Sequence, residues 1–334
     1  MIISRTPFRV SLFGGGSDYP KWYLQHGGAV FGFAINKYCY LSVRPLPPFF
    51  EYRNRIVYSK VEMVNEISEI EHPAVRGVLE DMGIKIGLEI HHDGDLPARS
   101  GLGSSSSFTV GLLNTLSAMN GKELNKKTLA QEALRIEQQV IKEHVGSQDQ
   151  IWASYGGINR IEFLKNGDFE VQPAGISEAR QKILLDHLLL FFTGFSRFAP
   201  EIAKKQIENL DKREKHLQAM TGLVDEALGV VKSDTRPITE IGEMLRETWR
   251  LKRELADNVS TPEIDEIYDA ALEAGAIGGK LLGAGGGGFM LLFAKPENQP
   301  AVIEKLKGLI RVKFGIDDVG SKIVVFEPAG LENR

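Results

Sequence analysis

Glycine is gathered into three short clusters, and no other feature of the sequence constrains its fold as tightly. Of 334 residues 35 are glycine, about a tenth of the chain where ~7% is ordinary. The clusters are Gly14-Gly15-Gly16, Gly101-Leu102-Gly103 and Gly283-Ala284-Gly285-Gly286-Gly287-Gly288. Glycine lets a backbone turn tightly and lets another group come close. Ordering four glycines in a row loses much conformational entropy, more than a surface turn requires. Close approach of the third cluster to another backbone or to a phosphate would explain it; a flexible hinge is the alternative.

The segments between the clusters set the fold class. Residues 2–13 alternate apolar and polar in the manner of a strand, and 28–43, 55–64 and 87–92 read as further strands. Residues 108–119 have helical spacing, with Val110, Leu113 and Leu116 on one face. A second helix is predicted over 125–142, with Asn125 as its N-cap. Residues 157–163 and 188–193 read as strands, and 199–273 as mostly helical with breaks near Pro237 and Pro262. Thr261 before Pro262 fits an N-cap with proline at the first helical position. A strand over 289–293, a helix over 299–314 and a strand over 322–326 close the chain. No strict βαβ rhythm is present, so the class is α+β. The length suits two domains, and the Lys165-Asn166-Gly167-Asp168 turn divides them into 1–165 and 166–334.

Composition removes several function classes. Lys+Arg is 40 and Asp+Glu 44, a net charge of −4, which argues against a nucleic-acid or anionic-membrane binder while leaving room for a local basic pocket. The single cysteine, Cys39, rules out an intrachain disulfide and a multi-cysteine metal site. No apolar run approaches the ~18 residues of a membrane span, and Arg5 and Arg9 interrupt the start before a signal-peptide core could form. The expected location is the cytoplasm. His91 and His92 are adjacent and would face opposite sides of a strand, so they suggest no metal site.

The second cluster, Pro97-Ala98-Arg99-Ser100-Gly101-Leu102-Gly103 followed by Ser104, Ser105, Ser106 and Ser107, has the design of a phosphate loop. It lies between a strand and a helix, so its amides and the helix N-terminus suit an anion. The hydroxyls can bond phosphate oxygens or meet Mg²⁺, which takes oxygen ligands. It lacks the Gly-Lys-Ser/Thr of a Walker loop and the third glycine of the dinucleotide fingerprint. A plain turn capped by serine is the alternative. In the first cluster, Asp18 could accept from sugar hydroxyls, though its spacing fits a helix N-cap better.

The three clusters in this order resemble the GHMP small-molecule kinases. Their second motif, P-x-x-x-G-L-G-S-S, matches 97–105 without a gap; their third matches 280–289; their first is present as Arg5-Thr6-Pro7-Phe8-Arg9-Val10. Within the family, RTPFRVSLFGGGSDYP, NKYCYLSV, DLPARSGLGSSSSFTVGLLN and VGSQDQIWASYGG look most like the D-glycero-D-manno-heptose 7-phosphate kinases. Members with GEHTDY after the first strand handle galactose; GGGSDY here keeps Asp18 without the Glu-His pair.

The resemblance implies a two-domain fold with the active site in the cleft between domains. It implies an ATP- and Mg²⁺-dependent kinase acting on the anomeric 1-hydroxyl of a heptose 7-phosphate, for nucleotide-activated heptose and surface polysaccharide. An L-fucose kinase and a non-turnover sensor of the same fold are the alternatives. Gly101, Leu102, Gly103 and Ser104 to Ser107 would hold the ATP phosphates. Ser105 and Glu137 would hold Mg²⁺. Asp149 would face the acceptor hydroxyl, with Arg9 beside it as a cation that lowers its pKa and stabilises the transferred group. Gly15, Gly16, Ser17 and Asp18 would bind sugar, and Gly283, Ala284, Gly285 and Gly286 would form the third loop. Tyr58, Ser59 and Val61 fall where relatives contact adenine. Arg99, Arg160 and Arg197 are the candidates for a sugar phosphate, with no motif to rank them. The partners implied are small molecules; there is room for a homodimer.

Overall fold

The computed structural model describes residues 1–98, 100–194 and 199–328. The strands are β1 (Ile2–Phe13), β2 (Gly28–Pro45), β3 (Asn54–Val57), β4 (Val61–Val64), β5 (Leu88–Gly94), β6 (Ile158–Phe163), β7 (Phe169–Pro173), β8 (Leu188–Gly194), β9 (Ala276–Leu281), β10 (Gly288–Ala294), β11 (Ile310–Val312) and β12 (Lys322–Phe326). The helices are α1 (Pro20–His26), α2 (Pro73–Asp81), α3 (Ser104–Met119), α4 (Lys126–Arg135), α5 (Asp149–Tyr155), α6 (Glu178–Asp186), α7 (Ala199–Asn209), α8 (Glu214–Lys232), α9 (Glu240–Arg253), α10 (Pro262–Glu273) and α11 (Gln299–Lys305).

Two sheets organise the described residues. The larger runs β12-β1-β2-β5-β3-β4, with the β6–β7 hairpin joined to β2; the smaller runs β11-β8-β10-β9. Pairing is antiparallel except between β3 and β5, which agrees with the α+β class. Helices α3 and α5 pack on β1, and α9 packs on β9. One apolar core spans both sheets, joining Phe8, Val10 and Leu116 to Leu190, Leu282 and Phe293. The 164–168 turn closes the β6–β7 hairpin, with Leu164 N–H donating to Asp168 O. The larger sheet therefore continues to Pro173, and β12 rejoins it near the end of the chain.

Several elements differ from their sequence patterns for identifiable reasons. Residues 55–64 form two strands, because the backbone turns at Ser59-Lys60 and Tyr58 N–H bonds Lys60 O. The helix expected over 108–119 starts four residues earlier, at Ser104. Serine hydroxyls usually compete with a helix by bonding their own backbone, but here Ser107 Oγ donates to Pro7 O and Ser106 Oγ to Glu137. The helix expected over 299–314 ends at Lys305; residues 310–312 instead complete the smaller sheet beside β8. Asn125 and Thr261 do cap their helices, accepting from Thr128 N–H and Ile264 N–H.

The third glycine cluster meets another backbone. Gly283 has φ +74°, and a Cβ there would lie 2.5 Å from Gly101 Cα; at Gly288 (φ +117°) it would lie 2.3 Å from Ser100 O. The loop between β9 and β10 is thus seated on the phosphate-loop segment, not hinged away from it. Gly283→Ala combines left-handed strain with a backbone clash and should destabilise the fold by roughly 2 kcal/mol or more. Gly222→Ala, inside α8 with open space around it, should stabilise by up to about 1 kcal/mol. Urea unfolding of both variants checks the pair.

Candidate active site

The site is built where the end of β1, the N-terminus of α3 and the N-terminus of α5 meet. Gly103 stands before α3 with φ +76°. A Cβ on it would lie 3.2 Å from Asp149 Oδ2 and 3.3 Å from Arg9 Cγ. Only glycine serves here, because the left-handed conformation and the close approach of two side chains coincide. Asp149, at the first position of α5, therefore lies directly against the turn that opens α3.

Arg9 joins these pieces. Its Nε donates to Asp149 Oδ1 at 2.7 Å and its Nη2 to Oδ2 at 2.8 Å, the two-pronged geometry that suits guanidinium and carboxylate. Its Nη1 donates to Gly101 O at 2.6 Å, and its backbone N–H donates to Leu102 O at 3.0 Å. The Arg9 side chain is 7% exposed and that of Asp149 22%. The cation is enclosed while the carboxylate remains reachable.

Asp18 lies next to this pair and is buried. It accepts from Gly16 N–H at 2.9 Å, and the Gln148 amide also bonds it. Burial, and then the nearby Asp149 charge, push its pKa above the usual carboxylate range. Asp18 is not the N-cap its spacing suggested: α1 is capped by Tyr19 without a side-chain bond. Ser17 is buried, and its hydroxyl bonds Gly14 O and Ala29 O and accepts from Ala29 N–H, so its side chain ties the first glycine turn to β2. Gly14 and Gly16 hold positive φ against Ala29 O and Leu217, whereas Gly15 does not.

Glu137 overturns the ordinary expectation of an exposed helix glutamate. After α4 the helix widens over 136–140, with Ile141 N–H bonding Ile136 O across five residues. Such widened turns recur at functional sites. Here the turn carries Glu137 into the interior, 1% exposed, where Ser106 Oγ donates to its Oε2 at 2.9 Å and Gln150 donates to the same oxygen. Burial raises its pKa to about 7. The serine that meets Glu137 is Ser106; Ser105, expected there, is exposed on the same turn. Glu137 Oε1 is buried and has no partner among the described residues. A lone unsatisfied carboxylate oxygen beside hydroxyls and a helix N-terminus fits Mg²⁺, which takes one or two carboxylates and leaves other positions to phosphates and water.

Two residues outside the sequence expectations complete the electrostatics. Lys280 Nζ donates to Leu12 O at 3.0 Å, and Lys252 Nζ donates to Leu281 O at 2.8 Å and to Gly283 O. Both are buried. Burial, then Arg9, lowers Lys280 to about 7; burial, then Lys280, holds Lys252 well below the usual lysine range. Lys280 opens the third motif and could have been singled out there. Lys252 sits in a charged helical stretch, Arg250-Leu251-Lys252-Arg253, with nothing to mark it.

Tyr58 stands edge-on to His72 at 4.8 Å, and His72 stacks on Phe108 of α3 at 4.5 Å. The β3–β4 hairpin is thus joined to the phosphate-loop helix through aromatic rings, with Ser59 and Val61 exposed at its turn. Arg160 pairs with Glu162 and Asp225, so its charge is already balanced. Arg99 and Arg197 lie outside the described residues. Among the described residues no helix is long and apolar enough to cross a membrane.

Comparison with known proteins agrees with this arrangement. The GHMP kinases N terminal domain matches residues 65–157 and the GHMP kinases C terminal domain residues 230–310, together just over half of the chain. D-glycero-alpha-D-manno-heptose 7-phosphate kinase of Campylobacter jejuni is 28% identical over 322 residues, covering 92% of this chain and 93% of that one. L-fucokinase/L-fucose-1-P guanylyltransferase of Bacteroides fragilis is 26% identical over 92% of this chain, which spans 36% of that longer protein. The crystal structure of a D-glycero-D-manno-heptose 1-phosphate kinase from Bacteroides thetaiotaomicron shares the fold, with TM-score 0.79 at 22% identity over 98% of this chain and 100% of that one.

The buried Glu137 generates a pH prediction. Between pH 4.5 and about 7 the folded protein holds a proton on Glu137 that the unfolded chain has released. This contribution to stability is full below 4.5 and is lost as pH rises through about 7. Glu137→Gln removes the decline. Its melting temperature relative to the parent should therefore rise from pH 4.5 to pH 8 in chelator, and a constant difference would contradict the assignment.

Proposed function

The chain belongs to the GHMP kinase family of ATP-dependent phosphotransferases, and from that premise we propose that it phosphorylates the anomeric 1-hydroxyl of D-glycero-α-D-manno-heptose 7-phosphate, giving the 1,7-bisphosphate. The observation that carries the proposal is the Arg9–Asp149 pair held against Gly103. It sets a carboxylate acceptor of protons beside a turn suited to a nucleotide's phosphates. The two heptose-kinase likenesses favour the heptose acceptor over fucose.

Phosphoryl transfer needs alignment and charge neutralisation more than covalent help from protein. The acceptor O–H points to Asp149, and its oxygen attacks the γ-phosphorus of ATP as the bond to ADP breaks. The proton passes to Asp149 or is held there as it leaves. Arg9 keeps the carboxylate aimed, and its charge lies where negative oxygen develops. The amides of residues 101–107 hold the phosphates. Glu137, with Ser106 and the exposed Ser105, would hold Mg²⁺, whose charge offsets that of the phosphate oxygens. Lys252 and Lys280 keep the third loop seated on the phosphate loop while ATP enters.

The test is ADP release measured over a panel of sugars and sugar phosphates, with the product position read by phosphorus NMR. Heptose 7-phosphate should be the best acceptor, and unphosphorylated heptose much poorer, because a vacant phosphate pocket forfeits binding energy. Equal kcat/KM for the two, or a preference for L-fucose, would overturn the substrate assignment. Asp149→Asn should lower kcat by about 10²- to 10⁴-fold with ATP binding retained. Ser106→Ala should raise the Mg²⁺ concentration needed for half-maximal rate more than Ser105→Ala does; an unchanged titration would remove Ser106 from the site.

A further inference from the structure

A small polar space in front of Gly15 has no role in the scheme above. Ser11, on β1, and Gln148, one residue before Asp149, are 7% and 8% exposed. Ser11 Oγ and Gln148 Oε1 are buried and have no hydrogen-bond partner among the described residues. Buried polar atoms are seldom left unpaired in a folded protein. The two side chains face one place: a Cβ built on Gly15 would meet Ser11 Oγ at 3.9 Å and Gln148 Nε2 at 4.0 Å, and nothing else within 4 Å. Gly15 is outside the left-handed region, so its backbone does not demand glycine. What its missing side chain leaves is room.

Gln148 bonds Asp18 through its side-chain amide, its Nε2 lies nearest the space, and its Oε1 is left without a partner among the described residues. A serine hydroxyl that donates or accepts and an amide that carries both donors and an open acceptor together match one alcohol group.

We propose that this space receives the acceptor hydroxyl vicinal to the one phosphorylated, which bonds the Gln148 side-chain amide and Ser11 Oγ. Gln148 and Ser11 are then specificity-determining residues for a polyhydroxylated acceptor. The proximity follows from the chain: Gln148 precedes the carboxylate that addresses the attacking hydroxyl. For attack by the 1-hydroxyl, the group recognised is the 2-hydroxyl. The inference rests on the kinase reading given above.

Ser11→Ala, Gly15→Ala and Gln148→Met are compared on heptose 7-phosphate and on its 2-deoxy analogue. Ser11→Ala deletes a hydroxyl without a partner, so the melting temperature should hold while the acceptor KM rises about tenfold. Gly15→Ala fits the backbone but fills the space, with the same result. ATP KM should stay within twofold in each. The parent should discriminate against the 2-deoxy acceptor by about tenfold, and Gln148→Met should lose most of that discrimination. If Gln148→Met fails to fold, Ser11→Ala and Gly15→Ala decide. Unchanged acceptor KM and unchanged discrimination, in a parent that turns over heptose 7-phosphate, would overturn this inference alone. A parent that phosphorylates no sugar on the panel would overturn the kinase reading and this inference with it.

Discussion

The fork between Arg9 and Asp149 is the interaction on which the site depends. An enclosed guanidinium must find partners for its charge and its donors, because an unpaired buried charge is severely destabilising. Arg9 finds them in three places at once: the Asp149 carboxylate, the carbonyl of Gly101 and, through its backbone, the carbonyl of Leu102. Arg9 lies on β1, and its partners come from the phosphate loop and α5. Removing one leaves the others without electrostatic balance, so the three segments are specified together. Gly103 is the steric counterpart, since any side chain there would enter the space of the ion pair.

A second constraint is backbone against backbone. Gly101 and Gly283 each leave no room for a Cβ on the other, and Gly288 lies against Ser100 O. The late glycine loop thereby becomes the rear wall of the early one. Lys252 reinforces the contact by donating to the carbonyls of Leu281 and Gly283, and Lys280 reaches back to Leu12 on β1. These lysines are buried near Arg9, an arrangement tolerated because each Nζ donates to backbone carbonyl oxygen and burial favours the neutral amine. Segments some 200 residues apart in sequence are joined in this way into one site.

Part of this was legible beforehand. The α+β class followed from alternating and helical apolar patterns, and the boundaries of β1 and β12 were read directly because nearest-neighbour alternation sets a strand. The caps at Asn125 and Thr261 were legible because a cap is a local bond. Glu137 was legible only through resemblance: its helix pattern alone indicates a solvated charge, and the widened turn that buries it leaves no local mark. Ser105 and Ser106 could not be told apart, because which serine meets Glu137 depends on the rotation of α3 relative to a helix 31 residues away. The sheet-bonding role of the Ser17 side chain was hidden for a similar reason. Serine is a good turn residue, and only the position of β2 decides that Ser17 bonds the sheet.

The sequence by itself determined which residue types could do the chemistry: three glycine clusters, one arginine at the end of the first motif and two acids twelve residues apart. It could do so because close backbone approach and anion binding demand particular residues locally. Tertiary structure alone decided which atoms are paired and which are left open. That is a matter of burial and distance between segments remote in the chain, and neither quantity is written in the order of the residues.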